Sequence, residues 1–247
     1  MPKFNDNLEN RKVPGTHFGY TGTRLGDLTG ATEYTLVAIV LDESGSTSTF
    51  KSEMEKCIME VVKSCRYSPR ADNMMLRLLA FGSRTREVHG FKLLQNCNPA
   101  DYDGCYGAGG NTALFDATCD ALEALKDYAK QLTDQDYLCN ACLFVITDGA
   151  DNESALRAVD VKKAFASCVN TEVLESLVSV LIGVNVQDPG LKNFLNTFHK
   201  EAGFTQFVEL KDASEKTLAK LAAFVSKSIS SQSQAIGTKA ASKSLIF

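Results

Sequence analysis

The sequence lacks several features that would commit it to particular kinds of work. No apolar run approaches the roughly 20 residues that a membrane-spanning helix needs, and the opening stretch MPKFNDNLENRKVPG has no apolar core of the kind that drives secretion. These two absences predict a cytoplasmic protein. Positive charge is not in excess: 26 Lys and Arg stand against 30 Asp and Glu, a net charge of -4. That balance argues against a nucleic-acid binder whose affinity rests on a dense basic face. Histidine is scarce, with only His17, His89 and His199, and there is no GxSxG elbow, so Ser–His hydrolysis has no support. GAGGNT lacks the GK[ST] ending of a phosphate-binding loop, and the first buried strand is not followed by GxGxxG.

What is present describes a folded protein with room for a large core: 247 residues, 44% hydrophobic and 23% charged. Its eight cysteines look by number like a disulfide set. However, Cys57, Cys65, Cys119 and Cys168 fall inside helix-like patterns, and a chain of this length does not need staples, so free thiols in a reducing compartment are expected. The CNAC stretch, Cys139 to Cys142, has CxxC spacing but no second CxxC. Buried thiols are the expectation there, with a zinc site shared with Cys97 or Cys105 as the alternative.

Along the chain, residues 1–33 are polar and turn-rich, and VPGTHFGYTGTRLGDLTG alone carries five glycines and a proline. They read as an extended arm wrapped on the domain. A regular pattern starts at Tyr34, where TLVAIVLD is a continuous, β-branched apolar run suited to a strand buried on both faces. Helical spacing follows from Phe50 to Cys65. MMLRLLAF (74–81) and REVHGFKLL then read as a hairpin, and a long helix begins near Ala113. ACLFVITDGAD supplies a second fully buried strand ending at Asp148. Beyond it come a helix over 154–169, a strand over 177–184, a helix over 191–202, a short strand over 204–210 and a helix over 215–228. This alternation predicts an α/β fold: a three-layer, doubly wound, Rossmann-like domain over 34–229. Its sheet would be mostly parallel and six-stranded, with one antiparallel edge strand. The Ser/Lys-rich residues 230–247 read as a flexible tail, though Leu245, Ile246 and Phe247 have the composition to dock.

Ligands of such sheets bind outside the carboxyl ends of the strands, where the winding reverses. Three segments converge there. DESGS delivers Asp42, Ser44 and Ser46, the loop GGNTALFDA delivers Thr112, and ITDGAD delivers Asp148. All five side chains are short oxygen donors, a set suited to a hard divalent cation, with Mg²⁺ favoured. The plainer alternative is that the serines only cap the following helix.

These residues resemble the metal-ion-dependent adhesion site (MIDAS) of von Willebrand factor A (vWA) domains. The family's motif, DxSxS followed by a threonine and then an aspartate, is matched by Asp42, Ser44 and Ser46, by Thr112, and by Asp148. The resemblance extends over roughly residues 34–229 through the order of strands and helices. It implies that Ser44 and Ser46 coordinate Mg²⁺ or Mn²⁺ directly and that Thr112 joins them in a high-affinity state. Asp42 and Asp148 would act mainly through waters. It further implies a non-enzymatic module that captures an Asp or Glu of a protein partner, often within an intracellular multiprotein assembly. No nucleic acid or membrane partner is expected. A self-assembling structural protein docking through its tail, or a metal-dependent enzyme accessory, are the alternatives.

Neighbouring acids are expected to do other work. Strand alternation turns Glu43 away from the site. Asp151, Asn152 and Glu153 read as caps of the helix expected from Ser154, and Asp116 as a helix-dipole residue in the first turn of the long helix.

Overall fold

A computed structural model describes residues 8–236 and 245–247. The first continuous apolar run forms β3 (Glu33–Asp42), the centre of the molecule, with every residue from Tyr34 to Asp42 buried. Such a strand needs cover on both faces, and helices supply it. The chain crosses from β3 through a short 3-10 segment (Gly45–Phe50) and α1 (Lys51–Arg66) to β4 (Met74–Phe81), which pairs parallel with β3. It then turns back as β5 (Thr85–Leu93), antiparallel to β4. After α2 (Leu114–Thr133), the chain returns to the other side of β3 as β6 (Leu138–Thr147). It continues outward through α3 (Ala158–Asn170), β7 (Leu177–Gly183), α4 (Pro189–Ala202) and β8 (Gln206–Glu209), and ends in α5 (Glu215–Ala235).

The sheet therefore reverses its winding at β3 and β6. One face, through Val37, Ile39, Leu78 and Phe144, packs on α1 and α5. The other, through Leu36, Val40, Leu79 and Val145, packs on α2, with α3 and α4 completing that layer.

All six expected strands are present, but among the described residues the sheet has eight, in the order β1-β2-β5-β4-β3-β6-β7-β8. The two extra strands come from the arm: β1 (Leu8–Lys12) and β2 (Gly19–Thr23) form an antiparallel hairpin laid beside β5. The antiparallel strand β5 is consequently interior rather than an edge. Close approach of backbones makes this possible, since a Cβ on Gly90 of β5 would lie 1.8 Å from the carbonyl oxygen of Thr21. Side chains then lock the hairpin. Tyr20 donates to Asp127 at 2.6 Å, Tyr128 to the carbonyl of Thr23 at 2.9 Å, and the Thr21 amide and hydroxyl both donate to Glu87.

Two further boundaries shift. α5 runs through Ala235, seven residues past its expected end, because Gln232 and Ser233 are buried and the Gln232 side chain donates to Ser176 at 2.7 Å. Of the expected tail, Leu245 packs against the α1/α5 core and the Phe247 ring sits edge-on to Phe224 at 5.6 Å. Residues 237–244, like 1–7 of the arm, lie outside the described residues.

Candidate metal centre

The carboxyl ends of β3 and β6 lie side by side, paired in register up to Leu41 and Ile146, so Asp42 and Thr147 are the next neighbours. Thr147 donates its hydroxyl to Asp42 Oδ2 at 2.5 Å, and the other carboxylate oxygen, Oδ1, accepts the amide of Ser44 at 2.8 Å. Asp42 is thereby fixed and almost sealed, at 2% exposure. Ser44 Oγ lies 3.2 Å from Ser46 Oγ, and Ser46 donates to Asp148 Oδ1 at 2.8 Å. Three side-chain oxygens, those of Ser44, Ser46 and Asp148, thus run from the end of β3 to the residue just past β6, with Asp42 tied on through the Ser44 amide.

The serines are not caps. Ser44 precedes the 3-10 segment with an extended backbone, and its side chain makes no capping hydrogen bond. Its hydroxyl is turned to Ser46 instead.

Thr112 arrives on the loop between β5 and α2. Its amide donates to Asn152 Oδ1 at 2.8 Å, its carbonyl accepts from Asn152 N at 3.0 Å, and the next amide, Ala113 N, donates to Gly82 O at 2.9 Å. The glycine stretch lies directly on the DESGS loop, with Gly45 N donating to Gly110 O at 3.2 Å and Gly109 N to Glu43 O at 2.8 Å. A Cβ built on Gly149 would stand 3.4 Å from Thr112 Oγ1 and 3.9 Å from Asp42 Oδ2, so the threonine hydroxyl shares the corner formed by these two strand ends. That hydroxyl has no hydrogen-bond partner among the described residues.

Electrostatically the corner is unbalanced. Burial raises the Asp42 carboxyl above its usual value, against the pull of its hydrogen bonds from Ser44 and Thr147. Burial raises Asp148 to about 6; the Ser46 hydrogen bond opposes the rise and the nearby Asp42 adds to it. No Lys, Arg or His is paired with either acid among the described residues. Nor do three or more His, Cys, Asp and Glu side chains cluster as a metal site anywhere among those residues. The donor set is therefore two carboxylates and three hydroxyls. It fits a hard cation: one hydroxyl is uncommitted, and two acids have no positive counterpart.

The residues beside the site divide differently from the sequence expectation. Glu43 is indeed turned away, its carboxylate held by Arg86 at 2.7 Å and 3.0 Å. Asp151, Asn152 and Glu153 do not cap α3, which begins only at Ala158 behind an Asp160 side chain that accepts from Arg157 N at 3.1 Å. They serve the preceding helix. α2 starts behind Ala113, which has no side chain to cap with, so its open amides are satisfied from across the site. Phe115 N donates to Asp151 at 3.0 Å and to Ser154 Oγ at 3.1 Å, while Glu153 takes the Asn111 side-chain amide at 2.7 Å. Asp116 returns the contact by accepting from Ala155 N and Leu156 N at 3.1 Å and 2.9 Å, beyond any helix-dipole effect. Thr147 is the site residue the sequence reading missed; its one sequence signal is its place directly before Asp148, while its register with Asp42 comes from the fold.

The histidines and cysteines lie elsewhere. His89 is fully buried beside Tyr102, at 2.9 Å, and burial lowers its pKa to about 4. All eight cysteines are unpaired and buried. Cys139 and Cys142 face opposite layers of the core, as a three-residue offset on a strand requires, so the CxxC spacing does not bring its thiols together.

No protein-family model matches the sequence, and no curated protein matches it. Solved structures do resemble the fold. The PilB minor pilin of Streptococcus sanguinis, as its D319A mutant, superposes with a TM-score of 0.58 at 13% identity over 85% of this chain and 64% of the pilin. Proximal thread matrix protein 1 from the mussel byssus, with a zinc-occupied MIDAS motif, gives 0.51 at 19% identity over 79% of this chain and 46% of that one. The ArnB paralog VWA2 of Sulfolobus acidocaldarius gives 0.52 at 10% identity over 81% and 46%. The chain spans less than two thirds of each of these proteins. What they share with it is the fold: this chain has a von Willebrand A-like α/β fold.

Proposed function

We propose that the chain is a metal-dependent protein-binding module in which Asp42, Ser44, Ser46, Thr112 and Asp148 hold a divalent cation that engages an Asp or Glu of a partner. The observation that carries this reading is the unbalanced corner: two partly or fully buried acids joined by serine hydroxyls, with no cationic side chain paired to them. Oxygen-only donors favour Mg²⁺ or Mn²⁺. A bound cation would supply Lewis acidity for a carboxylate oxygen of the partner. The chain's own hydroxyls, being neutral, leave that acidity largely undiminished. Arg84 supports a negatively charged partner: it is exposed, sits in the β4–β5 turn next to the Thr112 loop, and has no ion-pair partner among the described residues.

An enzyme-accessory role has no positioned base to support it. Of the tail residues, Leu245 and Phe247 contact this chain's own α1/α5 core while Ile246 stays exposed, so self-assembly through the tail remains the second reading. A reducing, cytoplasmic setting is supported by the eight unpaired cysteines. Among the described residues no helix is long and apolar enough to cross a membrane.

Calorimetric titration of the metal-free protein with Mg²⁺, Mn²⁺ and Zn²⁺ tests the site. Binding is expected in wild type and absent in Ser44→Ala, and equal affinities in the two would overturn the assignment. Capture of partners from the native host with and without EDTA tests the interface. Partners that stay bound in EDTA place the contact elsewhere.

A further inference from the structure

Glu43 occupies the variable position between two of the proposed ligands, yet both its backbone and its carboxylate are fully engaged. Its amide donates to Phe81 O at 2.7 Å, and its carbonyl accepts Gly109 N at 2.8 Å. Its carboxylate accepts Arg86 Nε at 3.0 Å, Arg86 Nη2 at 2.7 Å and Gly107 N at 2.7 Å. The same Arg86 nitrogen, Nη2, also donates to the carbonyl of Cys105 at 3.1 Å. Contact is so close at Gly107 that a Cβ there would stand 2.7 Å from Glu43 Oε2 and would have to displace that carboxylate. Two further ties hold the same segment: Tyr106 N donates to Glu55 Oε1 at 3.1 Å, and the Tyr106 hydroxyl donates to the carbonyl of Asp42.

Residues 105–109 are thus strapped to the end of β3 three to seven positions ahead of Thr112, whose hydroxyl is the uncommitted donor of the site. The strap is electrically silent. Glu43 would add a third negative charge beside Asp42 and Asp148, but the forked guanidinium cancels it in place. The α2 N-terminus is capped separately, from residues 151 and 154, while Cys105 and Tyr106 of the strap also pack into the α1/α5 core.

From this geometry we infer that the Glu43–Arg86 pair is a positioning device: it fixes the loop carrying Thr112 against the first strand end and sets cation affinity through that threonine. The inference rests on the reading of the site as a cation site.

The charge-neutral double variant Glu43→Leu/Arg86→Met isolates geometry from charge. Mn²⁺ affinity is measured by calorimetry in the full chain, well below the unfolding temperature of each variant. The double variant should bind Mn²⁺ about 10-fold more weakly than wild type, as outer positioning groups of metal sites typically do. Arg86→Lys should recover part of the loss. The decisive readout is coupling. In a Thr112→Ala background the double substitution should cost no further affinity, whereas a merely structural effect would add to the threonine loss. Affinity within 2-fold of wild type, or full additivity with Thr112→Ala, overturns the positioning role while the cation site stands. A wild-type protein that binds no Mn²⁺ overturns both.

Discussion

Two pairs of buried or part-buried acids lie against the sheet, and they differ in what partners them. Beside β4, Asp120 and Glu87 share the guanidinium of Arg77, at 2.9 Å and 2.8 Å. Burial works against the charge on Arg77, but the two carboxylates outweigh it and raise its pKa. The arm hairpin seals this group from outside through Thr21. At the ends of β3 and β6, Asp42 and Asp148 are offered only hydroxyls and amides. Taking charge out of water costs several kcal/mol per ion unless a partner repays it. One guanidinium within the chain partners the first pair; on the proposed reading of the site, the second takes its partner from outside, as a cation.

The contrast can be broken from either side. Arg77→Met removes the shared cation and should cost about 3–5 kcal/mol of stability, read by denaturant unfolding, while leaving Mn²⁺ affinity unchanged. Asp148→Ala should do the reverse, abolishing Mn²⁺ binding with little loss of metal-free stability. Thr147→Val, which frees Asp42 Oδ2, is expected to weaken Mn²⁺ about 10-fold, the usual cost of losing a group that orients a ligand.

A smaller effect lies in pH. Because the folded pKa of Asp148, about 6, exceeds its usual 3.8, the native state holds this proton more tightly than the unfolded chain. The metal-free protein gains from that below about pH 4 and loses it as pH rises through 6. Asp148→Asn should therefore be the more stable protein above pH 6 without metal. Its advantage should vanish at pH 4, as thermal melts in EDTA would show. Smallest of all, Tyr20→Phe should loosen the arm by about 1 kcal/mol through the lost hydrogen bond to Asp127, seen as faster amide exchange in β2.

The central strands were legible because burial on both faces writes an unbroken apolar run, and TLVAIVLD and ACLFVIT have no other use. The arm hairpin was not legible as sheet. LENRK has no apolar alternation, and GYTGT directs its Tyr20 inward by a contact no local pattern reveals. One local signal was nonetheless there: Val13-Pro14-Gly15-Thr16 closes with Thr16 N donating to Val13 O at 3.2 Å and φ +76° at Gly15, the residue order of a type II turn. The length of α5 escaped notice because SSQSQA is polar, and it stays helical only because Gln232 finds buried partners on β6 and at Ser176.

By itself the sequence determined the doubly wound core and pointed to the five oxygen side chains proposed as donors, since strand period and motif spacing are local and place Asp42, Thr112 and Asp148 at strand or helix boundaries. Only the tertiary structure decided how those donors are held. Thr147 on Asp42, Asn152 on Thr112, and Glu43 with Arg86 on the glycine loop are pairings across 40 to 105 positions of chain, and a hydrogen bond between remote residues leaves no trace in the spacing of either.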